Sequence, residues 1–154
     1  MADNRFASVS GIVLKGNKVL LVRQAYGAAK GLLVIPGGYL EEGEMPNEAL
    51  EREIREETGI TASAKNLLAI RFSKKDWWAI FSAEYVSGEP TSDGNENSEA
   101  LFMEIDEALA RDDLSRTTKE VLAHYKDGNG FTPSAFRPDG VDAAGYQLFM
   151  NHRP

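Results

Sequence analysis

The chain has 154 residues, which at about 150 residues per domain predicts one domain with a core of its own. Hydrophobic residues make up 42% and charged residues 27%, an ordinary globular balance that excludes wholesale disorder. Seventeen Lys and Arg against 24 Asp and Glu leave a net charge of −7, which argues against an extended nucleic-acid surface, and the lack of any Cys excludes disulfide scaffolds, thiolate metal sites and a cysteine nucleophile. The start, Met1-Ala2-Asp3-Asn4-Arg5, carries no basic segment followed by an apolar one, and apolar runs such as Val19–Val22 are far shorter than the ~20 residues of a spanning helix. A cytoplasmic protein without membrane contact is expected.

Phe6 to Leu14, rich in Val, Ile and Ser, reads as a strand. Gly16-Asn17 tolerates the positive φ of a hairpin turn, so Val19 to Gln24 is the returning strand, and its unbroken apolar run predicts cover on both faces. Ala25 to Gly31 is a small-residue loop, and the apolar run Leu32 to Ile35 is stopped by Pro36-Gly37-Gly38. A helix follows, with Pro46 at its first position and Gly59 just past its end; Ala49, Leu50 and Ile54 mark its apolar stripe. Thr61 to Phe72 and Trp77 to Val86 read as strands, the second with Trp77, Ala79, Phe81, Ala83 and Tyr85 on one apolar face. Ser87 to Glu99 is a polar loop, Leu101 to Met103 a short strand, and 106–110 and 116–125 are helical segments; His124 in the last has no partner in view and is taken as structural or surface. Mixed strands and helices in this order predict an α/β or α+β layered domain.

The helix carries the chemistry. Glu53, Glu56 and Glu57 stand at i, i+3 and i+4, on neighbouring turns, where carboxylates can grip a hard divalent cation. The plain alternative is a solvated face laced by Glu48–Arg52 and Glu51–Arg55 pairs. Against it, Glu56 and Glu57 occupy the last turn, where the helix dipole disfavours anions by about 0.3–1 kcal/mol each. A helix shaped for stability alone would place Lys or Arg there, and an uncompensated local violation marks a functional site. Gly37-Gly38, ahead of the helix, lets backbone approach a ligand closely.

Gly38 to Ile60 reads GYLEEGEMPNEALEREIREETGI. This resembles the Nudix box, G-x5-E-x7-R-E-U-x-E-E-x-G-U with U a bulky aliphatic. The fixed positions are filled by Gly38, Glu44, Arg52, Glu53, Glu56, Glu57 and Gly59, and the aliphatic ones by Ile54 and Ile60. Chance agreement at a given start is on the order of 10⁻⁸. The resemblance to Nudix hydrolases extends over most of residues 5–126 and implies an α/β/α sandwich around a mixed β-sheet.

It also implies a hydrolase that splits the diphosphate of a nucleoside diphosphate linked to a further moiety. By matched position Glu53, Glu56 and Glu57 are metal ligands, with the Gly37 carbonyl a further one, for Mg²⁺ or, in its place, Mn²⁺. Arg52 orients the carboxylates through Glu44. The general base is Glu53 or a later loop glutamate, Glu96 or Glu99, and Glu99 is also a candidate ligand. Arg23, Tyr39 and Trp78 are candidate substrate contacts, each with a structural alternative: strand-end charge, cover for the glycine turn, and core packing. A small nucleotide is the expected partner, ADP-ribose or another nucleotide sugar ahead of an oxidised nucleoside triphosphate. A catalytically silent nucleotide sensor and a 5′-end RNA hydrolase are the competing classes, and a homodimer is open. The proline after the box that often marks ADP-ribose enzymes is absent, as is the Ser-Gln-Pro-Trp-Pro-Phe-Pro signature of NADH diphosphatases, and Gly31-Leu32-Leu33 stands where many relatives have Gly-Leu-Trp. Residues 127–154 form an extension whose Phe131, Phe136, Tyr146 and Phe149 predict docking on the domain or on a partner subunit.

Overall fold

The computed structural model describes residues 5–125 and 130–151. β1 (Ala7–Lys15) and β2 (Lys18–Gln24) form the expected hairpin, closed by Gly16 at φ 63°. The two strands then part. β1 takes β6 (Trp77–Ser87) as a parallel neighbour and β4 (Gly37–Tyr39) as an antiparallel one, while β2 pairs with β7 (Asn97–Glu104) and with the two-residue β3 (Leu33–Val34). β5 (Thr61–Phe72) lies antiparallel to β6. The sheet is therefore mixed, and β1 is bonded to β2, β4 and β6.

Two apolar layers cover its faces. α1 (Pro46–Thr58) buries Ala49, Leu50 and Ile54 against Val9, Val13, Leu20, Phe81 and Ala83. On the other face Ile12, Leu21, Leu33, Ile80 and Met103 meet Ala108 of α2 (Ile105–Leu109) and Leu122 of α3 (Arg116–His124). This is an α/β/α sandwich. α1 starts and stops for the expected reasons. The Met45 N–H donates to the Glu48 carboxylate at 2.9 Å, Pro46 follows, and Gly59 at φ 74° donates its N–H to the Arg55 carbonyl at 2.9 Å.

Several expectations are corrected. Gly37 and Gly38 do not merely stop a strand; they lie in β4, opposite Ser10 and Val9 of β1. β7 begins at Asn97 rather than Leu101, so Glu99 sits in a strand, opposite Arg23 of β2. Trp77 shares the face of Ala79 and Phe81 but lies at its open end, 50% exposed against Phe6 and Phe72, and β6 is covered on both sides from Ile80 to Ala83. The boundary set at residues 126 and 127 and the reading of the first four residues lie outside the described residues. Beyond it, β8 (Phe131–Pro133) meets β5 at Leu67 and pairs with β9 (Phe149–Asn151), and the Phe149 ring stands 5.6 Å from that of Phe81. Among the described residues no helix is long and apolar enough to cross a membrane.

Candidate active site

A cavity of about 860 Å³ opens over β4, the face of α1 and the β5–β6 hairpin. At one end carboxylate oxygens of Glu53, Glu57 and Glu96 lie within 4.8 Å of one another. Two come from neighbouring turns of α1, and the third from the loop that runs into β7.

The glycines of β4 make this possible by being bare. A Cβ on Gly38 would stand 2.5 Å from the Glu53 carboxyl carbon, and one on Gly37 would stand 2.0 Å from the Val9 carbonyl oxygen. Every other residue type would drive Glu53 away or push β4 off β1. The loop is pinned by its own polar groups. Asp93 Oδ1 accepts from the Asn95 and Asn97 N–H groups, and the Asn97 amide donates to the Glu57 carbonyl at 2.9 Å. Glu96 thereby meets the end of α1.

Bringing carboxylates together in a partly dry place raises their pKa values. Glu57 is buried and pushed up to about 9, first by loss of water and then by the charges of Glu53 and Glu96; a Gly37 backbone hydrogen bond opposes this. Glu53 is raised as well, again mainly by burial, with Arg52 pulling the other way. Arg52 is the hub of the arrangement. Its Nε and Nη2 donate to the two oxygens of Glu44 at 2.7 and 2.9 Å, and its Nη1 to Glu53 at 2.9 Å and Glu56 at 3.2 Å. Glu44, held in this fork, stays below its ordinary range. Glu48 and Glu51 do not decorate the surface in the expected pairs. Glu48 caps the helix and Glu51 accepts the Ala64 N–H at 2.9 Å.

The structure brings Glu53, Glu57, Glu96 and Gly37 together, with Arg52 and Glu44 behind them. Glu56 stays outside the trio, exposed and tied to Arg52. Glu99 and Arg23 are also elsewhere: Arg23 donates to Asp113 at 2.9 Å and to the Gly31 carbonyl at 2.9 Å, and meets Glu99 at 3.4 Å. The reason is the longer β7, which turns Glu99 away from the loop and sets it against Arg23. Tyr39 and Trp78 both line the cavity, and the indole N–H of Trp78 donates to Ser10 Oγ at 3.0 Å. His124 is exposed, as expected, with Nδ1 2.8 Å from the Glu120 carbonyl oxygen.

Sequence reasoning missed Arg71 and Asp76, which line the far end. The guanidinium of Arg71 lies 5.6 Å from the Trp78 ring centre and 3.0 Å from Asp76 Oδ1. Counting outward from the Ser73–Asp76 turn pairs Phe72 with Trp77 and then Arg71 with Trp78, so the hairpin register held the signal.

A buried carboxylate with a raised pKa beside two others fits a hard cation, which replaces the lost water and offsets the repulsion. An α/β/α sandwich with a carboxylate cluster that could hold a cation is the class that fold and site define. The chain belongs to the Nudix family: the NUDIX domain matches residues 4–125. It is 35% identical over 105 residues to the ADP-ribose pyrophosphatase of Methanocaldococcus jannaschii, covering 64% of this chain and 61% of that one. It is 32% identical over 126 residues to the NAD-capped RNA hydrolase NudC of Haemophilus influenzae, covering 76% of this chain and 46% of that one. The fold is shared with a NUDIX hydrolase from Nitrosomonas europaea at a TM-score of 0.72 and 23% identity, over 81% of this chain and 72% of that one. The chain thus spans about half to three fifths of the length of these curated relatives.

Proposed function

We propose that the protein is a divalent-cation-dependent hydrolase of the diphosphate in a nucleoside diphosphate derivative, with ADP-ribose or a related nucleotide sugar as the preferred substrate class. The observation that carries this reading is the Glu53–Glu57–Glu96 trio at one end of a cavity large enough for a dinucleotide-sized ligand. The likeness to an ADP-ribose pyrophosphatase supports the substrate class.

Glu53, Glu57 and Glu96 would hold the cation, Mg²⁺ or Mn²⁺, and Arg52 with Glu44 keeps Glu53 in place. When bound, the cation neutralises charge on the phosphoryl oxygens and lowers the pKa of water. In a protein of charge −7 a bound cation would offset the repulsion between these carboxylates and a dianionic diphosphate. Glu96 is the exposed member of the trio and the proposed proton acceptor, because exposure leaves it free to pass the proton to solvent. Glu53, half-buried and tied to Arg52, is suited to holding rather than shuttling.

The test is turnover of a panel in Mg²⁺: ADP-ribose, NADH, nucleotide sugars, dinucleoside polyphosphates and oxidised nucleoside triphosphates, with products separated and ¹⁸O-water locating the attacked phosphorus. ADP-ribose should give AMP and ribose 5-phosphate. Glu57→Gln should abolish turnover of the best substrate, and parental rates in that variant would refute the site. Preference for the triphosphates would replace the substrate class and leave the site standing.

A further inference from the structure

We propose that Arg71, set over Trp78 and braced by Asp76, is the platform for the nucleobase, and that Asp76 selects bases carrying an exocyclic amine. This rests on the reading of the cavity as a nucleotide diphosphate site and names what its far end recognises.

The floor of the cavity is one row of side chains crossing four strands. Tyr39 of β4 stands opposite Ser8 of β1, Ser8 opposite Trp78 of β6, and Trp78 opposite Arg71 of β5. Residues directly opposite one another point to the same face, and all four line the cavity. Gly37, beside the carboxylates, lies on β4 at one end of this row, and Arg71 at the other. Three strand spacings separate them, about 14 Å. A diphosphate gripped at the β4 end therefore reaches the β5 end with its nucleoside.

Arg71 is prepared for a flat partner. Its guanidinium carbon lies over the indole, 5.6 Å from the ring centre, and its Nη2 is held at 3.0 Å by Asp76 Oδ1, which also accepts from Ser73 Oγ at 2.8 Å. The side chain is ordered before anything binds, so a ligand does not have to order it. It remains 46% exposed, and it borders the cavity. Guanidinium planes stack well on bases. Its charge is already offset by Asp76, which makes it a poorer partner for phosphate than for a ring.

Asp76 supplies the selection. Both of its side-chain contacts use Oδ1. Oδ2 takes part in neither, and an ionised carboxylate only accepts hydrogen bonds. A base presenting an amine, such as adenine, satisfies it. Hypoxanthine, which presents a carbonyl instead, sets oxygen against oxygen.

The test uses the full chain in Mg²⁺ with the α,β-methylene analogues of ADP and IDP. Binding is followed by tryptophan fluorescence, since Trp78 lies beneath the platform. The parent should bind the adenine analogue at least about tenfold tighter than the hypoxanthine one. Arg71→Ala and Arg71→Lys should both weaken adenine binding about tenfold or more, the lysine failing because it keeps charge without a plane. Asp76→Asn should erase the preference. With ADP-ribose as substrate the loss in Arg71→Ala should fall on KM rather than kcat. Equal affinities in the parent, or parental binding in Arg71→Ala with the fold intact by circular dichroism, would overturn the proposal. A parent that shows the preference but hydrolyses no diphosphate would refute the hydrolase reading and leave the platform standing.

Discussion

Glu57 carries the largest conflict at the level of single residues. Its folded pKa of about 9 stands above the ordinary 4.5 that it regains when unfolded. Between those values the unfolded chain has lost a proton that the folded chain keeps, so stability falls as pH rises. The stabilising effect of the protonated form is full below about 4.5 and gone above about 9, and Glu53, also raised, adds to the same slope. In EDTA the Tm should therefore fall from pH 5 to pH 9. Mg²⁺, taking the charged carboxylates, should raise Tm more at pH 8.5 than at pH 6, and calorimetry in buffers of different ionisation enthalpy should show proton release on uptake. Glu57→Gln should flatten the slope; an unchanged slope would mean that another group sets it. Arg52 is the complementary case. Arg52→Gln strips the fork from Glu44 and the bond from Glu53, which should cost about 2 kcal/mol of stability and weaken Mg²⁺ binding about 10–100-fold. Arg52→Lys keeps the charge but not the fork and should recover stability better than Mg²⁺ affinity. The pairing of Glu53 with Glu57 was legible because it follows from the period of one helix, whereas Arg52 with Glu44, which precedes the helix, was legible only through the box. The box could not choose between Glu96 and Glu99, since that depends on where β7 begins, and Asn97 begins it through a side-chain bond to a distant helix end.

At the scale of elements, β4 and α1 act as one device. α1 was readable from its ends and its apolar stripe. β4 was not, because two glycines after a proline have no intrinsic strand preference and owe their conformation to what they touch. The two glycines are also not equivalent. On Gly37 a new Cβ meets backbone, the Val9 carbonyl and the Ser10 Cα, which cannot step aside. On Gly38 it meets the far end of the Glu53 side chain. Gly37→Ala should therefore unfold readily, losing about 1–3 kcal/mol or more, whereas Gly38→Ala should keep most of its stability and lose divalent-cation binding. Thermal denaturation paired with Mn²⁺ titration by electron paramagnetic resonance separates the two. Equal effects of the two substitutions on both readouts would show that Glu53 is not held by the close approach of β4.

For the whole molecule the outstanding piece is the segment beyond α3, which lies outside the span that the NUDIX domain matches. Its aromatic content led to the expectation of docking on the domain or on a partner subunit, and the place was not legible, since the outer edge of β5 is defined only once the sheet is assembled. β8 adds to that edge at Leu67, and β9 carries Phe149 onto Phe81 and the core beneath α1. An edge strand as long as β5 would otherwise present unpaired N–H and C=O groups to other chains. The segment therefore covers apolar surface and pairs with that edge at Leu67. Phe149 is partly buried, so Phe149→Ala should cost less than a fully buried ring does, about 1–3 kcal/mol. A chain ending at Tyr125 should melt earlier and aggregate faster on warming, with turnover at low temperature retained, because neither β8 nor β9 lines the cavity above the carboxylates. Limited proteolysis gives the independent check. Cleavage between residues 130 and 151 should track global unfolding in urea; rapid removal of the segment from the folded protein, with Tm unchanged, would show that it contributes nothing to the fold.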